Sequence, residues 1–248
     1  MVLIPIKCPH CESIDVRKYG TSPAGKQRYI CLNSNCKKTF QAEYKNKAWE
    51  PRIRSEIYSL TINGNGIRAI SRILGIARDT VISTLRSFES SLWYVNHAHL
   101  EAQNCQDIEV EIVSGTEAEM DEMWSFVHDK SQQYWLWWAI DHRTGAPLAF
   151  CFGTREHRNL ENLLALLKPL NIDVVYSDNN PAYDTHITDS WLITGKENTQ
   201  KIERKHLSLR TWCSRLVRKG IRFSKSHQMH RIVVALVINF WFFGRILA

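Results

Sequence analysis

The run "EAEMDEMWSFV" at residues 117–127 constrains the fold more than any other stretch. Glu119, Asp121 and Glu122 interrupt Met120, Met123, Trp124, Phe126 and Val127, which otherwise read as a buried strand. A carboxylate among apolar strand residues is costly to bury unless a cation or hydrogen bonds compensate it. Either this strand lies at a sheet edge with its polar face in water, or one of its acids holds a metal. Glu119 and Asp121, two apart, share a strand face.

Downstream the pattern continues as strand, strand, helix, strand and helix. Strands are expected at 118–127, 133–141 ("QYWLWWAID"), 147–153 ("PLAFCFG") and 173–178 ("DVVYSD"), with a helix over 159–170 stopped by Pro169. In a ribonuclease H-like α/β fold this order brings acids together at adjacent strands. Asp121 comes from the first strand, and Asp178 ends the apolar parallel strand. The helix "TQKIERKHLSLRTWCSRL" opens a basic helical region expected to run from about Thr199 to the end, and it supplies a third acid. Ile202, Leu209 and Leu216 mark its inward stripe, while Glu203 and Arg210, also seven apart, share one side. Glu119 and Glu122 rival Asp121, Asp184 and Asp189 rival Asp178, and Glu197 rivals Glu203 but better suits the helix N-terminus. Asp141 suits the turn "DHRTG". Hard cations such as Mg²⁺ or Mn²⁺ prefer carboxylate oxygens, and a pair of them supports phosphodiester cleavage. Without metal, crowded carboxylates repel and their pKa values rise.

Two short cysteine loops lie upstream, Cys8-x2-Cys11 and Cys31-x4-Cys36, separated by "YGTSPAGKQRYIC" with its hairpin residues Gly20, Pro23 and Gly25. Two such loops brought together by a hairpin supply four soft tetrahedral ligands for one structural zinc. His10, between the first pair, is badly placed to replace a thiolate. Next, "GIRAISRILGIARDTVISTLRSF" (66–88) reads as two helices around Gly75, preceded by a helix ending at Gly64. Ile67, Ile70, Ile73 and Leu74 give the first an apolar face, and Val81, Ile82 and Leu85 the second. As a helix-turn-helix, the second helix would offer Arg78, Asp79, Thr80 and Ser83 to base edges, with Arg68 and Arg86 near phosphates. A plain three-helix packing unit is the alternative. The expected organisation is a zinc ribbon at 1–45, an all-α helix-turn-helix domain at 46–92, a linker at 93–116 and a ribonuclease H-like domain at 117–248.

The balance of 44% hydrophobic and 23% charged residues excludes a disordered chain. A formal charge of +7 favours an anionic partner, and with ribbon and helix-turn-helix on one chain that partner is DNA. The start "MVLIPIKCPHC" lacks the charged leader of a signal peptide. The apolar tail between Arg231 and Arg245 falls short of the ~20 residues a membrane span needs, so a buried final helix and no membrane partner are expected. Seven cysteines, four clustered early, fit metal ligation in the reducing cytoplasm.

"AEMDEMW", the strand ending in "SDNNPAY", "TQKIERKHLSLR" and "FSKSHQMH" resemble the transposases of the insertion-sequence-one family of bacterial mobile elements. "CPHC…RYIC" and "GNGIRAISRILGI" are similar to that family's zinc ribbon and helix-turn-helix. The resemblance spans nearly the full chain and is weakest over 90–115. It departs in the second cysteine pair, spaced x4 rather than x2, and in being one chain where the relative joins two reading frames. It implies an Asp-Asp-Glu transposase in which Asp121, Asp178 and Glu203 bind a pair of Mg²⁺ (or Mn²⁺) ions. Arg210 would contact DNA near the scissile phosphate, and His206 would assist. Such an enzyme binds terminal inverted repeats, cleaves at the element ends and joins the 3′-hydroxyls to target DNA. It acts as a homodimer or higher oligomer on double-stranded DNA, associated with the prokaryotic nucleoid. The tract 201–231, with ten Lys/Arg against Glu203 alone, would track phosphates through residues such as Lys201, Arg204 and Arg210. A stand-alone nuclease or resolvase of the same fold, or a DNA-binding repressor with a vestigial catalytic fold, are the competing readings.

Overall fold

A computed structural model describes residues 5–43, 47–97, 116–178, 181–187 and 191–247. The chain divides into two compact units, one of residues 1–59 and 67–84, the other of residues 60–66 and 85–247. Most of the expected 93–116 linker, and the rival acid Asp189, lie outside the described residues.

The first unit opens with an antiparallel sheet of β1 (Val16–Thr21), β2 (Gln27–Cys31) and β3 (Thr39–Gln41). The β1–β2 connection turns at Gly25, whose φ of +75° a side chain would resist and whose N–H donates to the Ser22 carbonyl at 2.8 Å. Among the described residues Cys8, Cys31 and Phe40 form its buried cluster, with Tyr29 stacked on Phe40. So small a core cannot hold three short strands by apolar burial alone.

Helices α1 (Pro51–Ile62), α2 (Ile67–Leu74) and α3 (Arg78–Ser87) follow. Pro51 stands at the first helical position, where a missing N–H costs nothing. Gly64 (φ +79°) and Gly75 (φ +64°) end α1 and α2 in left-handed conformation. Ile70, Val81 and Leu85 are fully buried, as the sequence pattern requires. Ile73 is not: it is 57% exposed. At the helical pitch Ile67, Ile70 and Leu74 fall within about 60° of one another, and Ile73 lies outside that stripe.

The second unit is built on a mixed sheet in the order β6-β5-β4-β7-β8. Its strands are β4 (Thr116–Val127), β5 (Asp129–Asp141), β6 (Pro147–Gly153), β7 (Ile172–Ser177) and β8 (Leu192–Thr194). The first three pair antiparallel, while β7 runs parallel to β4 and β8 parallel to β7. Helix α4 (His157–Leu167) crosses between β6 and β7, and α5 (Pro181–His186) between β7 and β8. On this face Leu160, Leu163, Leu167 and Tyr183 pack on Ala118, Met120, Trp137 and Ala139. The chain leaves α4 through a tight turn containing Pro169 and Asn171 (φ +46°), where the sequence placed the stop.

Helices α6 (Gln200–Trp212) and α7 (His227–Trp241) follow β8. Rings from this segment pack on the sheet: His206 and Phe242 on Trp138, His230 on Tyr134, and Phe243 on Phe150. Ile232, Val234, Ala235, Leu236, Val237 and Ile238 are fully buried, so α7 is a core helix apolar nearly all round. No helix among the described residues is long and apolar enough to cross a membrane. The expected continuous helical region from Thr199 onward is interrupted between Trp212 and His227. Cys213 is extended, Ser224 bridges to Val127 as a strand would, and Ser226 caps α7 by accepting the Met229 N–H.

Candidate metal centres

In the ribbon, Cys8, Cys11, Cys31 and Cys36 bring their Sγ atoms within 4.8 Å of one another. Cys8–Cys36 and Cys11–Cys31 are 3.7 and 3.5 Å apart. A tetrahedron with Zn–S bonds near 2.3 Å has edges of about 3.8 Å, so the donor set fits one zinc. Each loop closes on a left-handed residue, Glu12 (φ +58°) and Lys37 (φ +48°), directly after its second cysteine. The x4 loop still closes, because the Cys36 and Lys37 N–H groups both reach the Asn33 carbonyl. His10 is exposed, between the two cysteines of the first loop.

The second centre lies where β4 and β7 run side by side. Their parallel register pairs Glu119 with Tyr176, so two residues on Asp121 is level with Asp178, just past the β7 end. Asp121, Glu122 and Asp178 each place a carboxylate oxygen within 4.8 Å of the others. Asp178 Oδ1 is buried without a hydrogen-bond partner. Asp121 is pushed up to about 7, chiefly by burial and then by the charges of Glu122, Asp178 and Glu203. A buried oxygen with no donor, beside a carboxyl held up by its acidic neighbours, is what a site shaped for a hard cation presents.

Neighbouring residues fix the geometry. Trp138, opposite Asp121 on β5, donates its indole N–H to His206 Nε2 at 2.8 Å. Burial, then Arg210 and Arg218, lower His206 to about 3, so the ring is neutral. Because an indole nitrogen only donates, the ring proton sits on Nδ1, 3.5 Å from Asp121 Oδ2. Glu203 is exposed on α6, near enough for its charge to raise Asp121 but outside the three-carboxylate group. Arg210 is half-buried, its buried Nε lacks a partner, and the guanidinium feels the Asp121 charge. Arg204 is exposed, whereas Lys201 is turned back onto the His142 carbonyl and Glu119. Arg68, Arg78, Ser83 and Arg86 are exposed and Thr80 is half-buried.

Sequence reasoning weighed Glu119 and Glu122 only as rivals of Asp121, yet both are committed elsewhere. Buried Glu119 accepts the Ile202 N–H at 3.0 Å, in the first turn of α6, and meets His142 Nδ1 at 2.9 Å. It thus serves an amide of the helix start for which Glu197 was expected. Glu122 Oε1 accepts two bonds from Arg155, at 2.9 and 3.1 Å, and Oε2 accepts the Tyr183 hydroxyl at 3.1 Å. Asp141 starts its turn as expected, accepting from the Thr144 N–H and hydroxyl.

The chain therefore carries two metal-ready centres of opposite chemistry, a soft thiol cage on a small ribbon and a hard carboxylate cluster on a mixed sheet. It belongs to the IS1 transposase family, whose model matches residues 114–244. A model of the InsA N-terminal domain, a zinc ribbon, matches residues 1–37. The insertion element iso-IS1n protein InsB of Shigella dysenteriae is 45% identical over 121 residues, 49% of this chain and 92% of that relative. The insertion element IS1 protein InsB of Shigella sonnei is 38% identical over 122 residues, 49% of this chain and 93% of the relative. One chain thus holds an InsA-type ribbon and an InsB-like region. Among solved structures, the catalytic core domain of BIV integrase aligns with a TM-score of 0.33 at 15% identity, covering 50% of this chain and 83% of the other, a loose likeness.

Proposed function

We propose that the chain is a DNA transposase that cleaves duplex DNA at the ends of an insertion sequence and joins the exposed 3′-hydroxyls to target DNA by metal-dependent phosphoryl transfer. The carrying observation is the Asp121–Asp178 pair, one carboxyl held up at about 7 and the other with an orphaned buried oxygen. Asp121, Asp178 and Glu203 are the residues that would hold Mg²⁺ or Mn²⁺. A bound pair of such ions activates the attacking oxygen and stabilises the leaving one. His206, locked by Trp138, limits the positions open to the Asp121 carboxylate. Arg210, which feels the Asp121 charge, would offer its guanidinium to a non-bridging phosphate oxygen. Positioning and charge stabilisation are most of what phosphoryl transfer asks of side chains.

On the DNA side, we assign residues 1–45 as the zinc ribbon, 46–92 as a helix-turn-helix domain, 93–116 as the linker and 117–248 as a ribonuclease H-like catalytic domain. Arg78, Thr80 and Ser83, early on α3, would face base edges of the terminal inverted repeats, with Arg68 and Arg86 on phosphates. Arg204 and the rest of the basic tract would continue along the backbone. Two element ends must be processed together, so a dimer or larger assembly forms on DNA.

The test incubates the purified full chain and Mg²⁺ or Mn²⁺ with duplexes carrying the element's terminal repeats and a supercoiled target plasmid. Cleavage followed by joined product is expected from the wild type, and neither from Asp121→Asn. Cleavage that never leads to joining would make the chain a nuclease or resolvase. Binding with neither reaction would make it a repressor.

A further inference from the structure

The segment between α6 and α7 holds one short 3-10 turn, Ser214–Leu216, and is held at both ends by buried residues, Cys213 and Leu216 at one and Ser224 at the other. Ser224 is its anchor. It pairs with Val127 in an isolated parallel bridge, and its carbonyl accepts the His128 N–H at 2.8 Å. Its hydroxyl lies 3.1 Å from Arg215 Nη1 and 3.0 Å from His230 Nδ1, and the far side of that buried imidazole meets Ser125 Oγ at 3.2 Å. Phe223 packs its ring on Phe126. At the other end Leu216 is buried. Between these fixed points the residues of the tip "VRKGIR" (217–222) are largely exposed. Arg218, Lys219 and Arg222 are exposed, and Ile221 is 93% exposed.

An isoleucine that far into water, set among cations and on an anchored loop, has no role in the core. No Asp or Glu occurs anywhere from residue 204 to the C-terminus, so nothing acidic in this stretch offsets the loop charge. The loop follows directly on α6, the helix that carries Glu203, His206 and Arg210, and the Arg218 charge acts on the last two. Duplex DNA is the partner this combination fits: cations meet phosphates, and an apolar side chain enters a base step and unstacks it.

We propose that Ile221 is a wedge that enters a base step of duplex DNA, with Arg218, Lys219 and Arg222 seated on the flanking phosphates. This rests on the reading that the chain handles duplex DNA, but not on its ability to cut or join. A wedge of this kind prefers DNA that is already partly unstacked, because the cost of opening the step has been removed.

The experiment compares the affinity of the full chain for a random-sequence 40-base-pair duplex with that for the same duplex carrying one central mismatch. It is read by fluorescence anisotropy without added Mg²⁺ or Mn²⁺. Wild type should favour the mismatch by about tenfold, Ile221→Ala should bind both alike, and Ile221→Phe should keep the preference. Ile221 touches no core, so the thermal midpoint of Ile221→Ala should match wild type, which separates loss of the wedge from misfolding. Equal binding of both duplexes by wild type, a preference that survives Ile221→Ala, or no duplex binding at all would each overturn the proposal. Asp178→Asn should keep the preference; if the chain shows it yet never cleaves or joins, the transposase reading falls and the wedge stands.

Discussion

Each acid of β4 meets a different environment, and its consequences separate accordingly. Glu119 is buried with its bonds to Ile202 and His142, so Glu119→Ala leaves a helix-start amide unpaired. We expect a loss of about 2–3 kcal/mol in urea unfolding, with Glu119→Gln losing less. His230 is held well below the range of a surface histidine. Burial, then the charges of Arg215 and His227, push it down to about 3. In the unfolded chain it takes up a proton near 6.5. Between those values the unfolded state binds more protons, so the stability due to neutral His230 is present above 6.5 and lost as pH falls toward 3. The slope reaches about 1.4 kcal/mol per pH unit. The thermal midpoint should therefore fall between pH 6.5 and 4.5, and by less in His230→Asn. Asp121 and Asp178 could be singled out because each sits in or at the end of an apolar strand, although the strand pattern left Glu119 and Glu122 as rivals and the family resemblance was needed to favour Asp121. The duties of Glu119 and Glu122 were not, because Ile202, Arg155 and Tyr183 lie far along the chain and no local spacing announces them.

At the scale of elements, the ribbon and the last helix are held by opposite means. The ribbon's buried cluster is three residues, so its order depends on the thiol cage. Colorimetric zinc release should give one zinc per chain. A chelator strong enough to remove it should abolish amide protection over 16–41 while leaving α7 protected, and Cys31→Ser should behave as the chelated chain does. Helix α7 needs no such ligand. Its buried Asn239 accepts the Trp93 N–H at 2.9 Å and donates to the Trp93 and Ala235 carbonyls at 2.8 and 2.9 Å. Asn239→Ala leaves the Trp93 amide unpaired in the core and should cost about 2–4 kcal/mol by chemical denaturation. The strands at 133–141 and 147–153 could be placed from their aromatic-rich apolar runs bounded by turn residues, although the first opens earlier, at Asp129. The break between α6 and α7 could not. It is fixed by Ser224 joining Val127 and Ser125 joining His230, pairings that only the folded sheet creates.

For the whole molecule, charge and chemistry are separable. Duplex binding should weaken steeply with salt, and Arg204→Ala should reduce the log–log slope by about one, as expected for one phosphate contact. Asp178→Asn should leave that slope unchanged while abolishing joined product, since a carboxylate engaged with metal contributes nothing to counterion release. The central claim is narrower than either effect: Asp121 and Asp178 together hold divalent cations. Iron-catalysed backbone scission tests it directly, with Fe²⁺ supplied in place of Mg²⁺ and ascorbate and peroxide added to the full chain. Cuts are expected beside Asp121 and beside Asp178, and both should vanish in Asp178→Asn. Scission absent from these two positions, or unaltered by that substitution, would contradict the account.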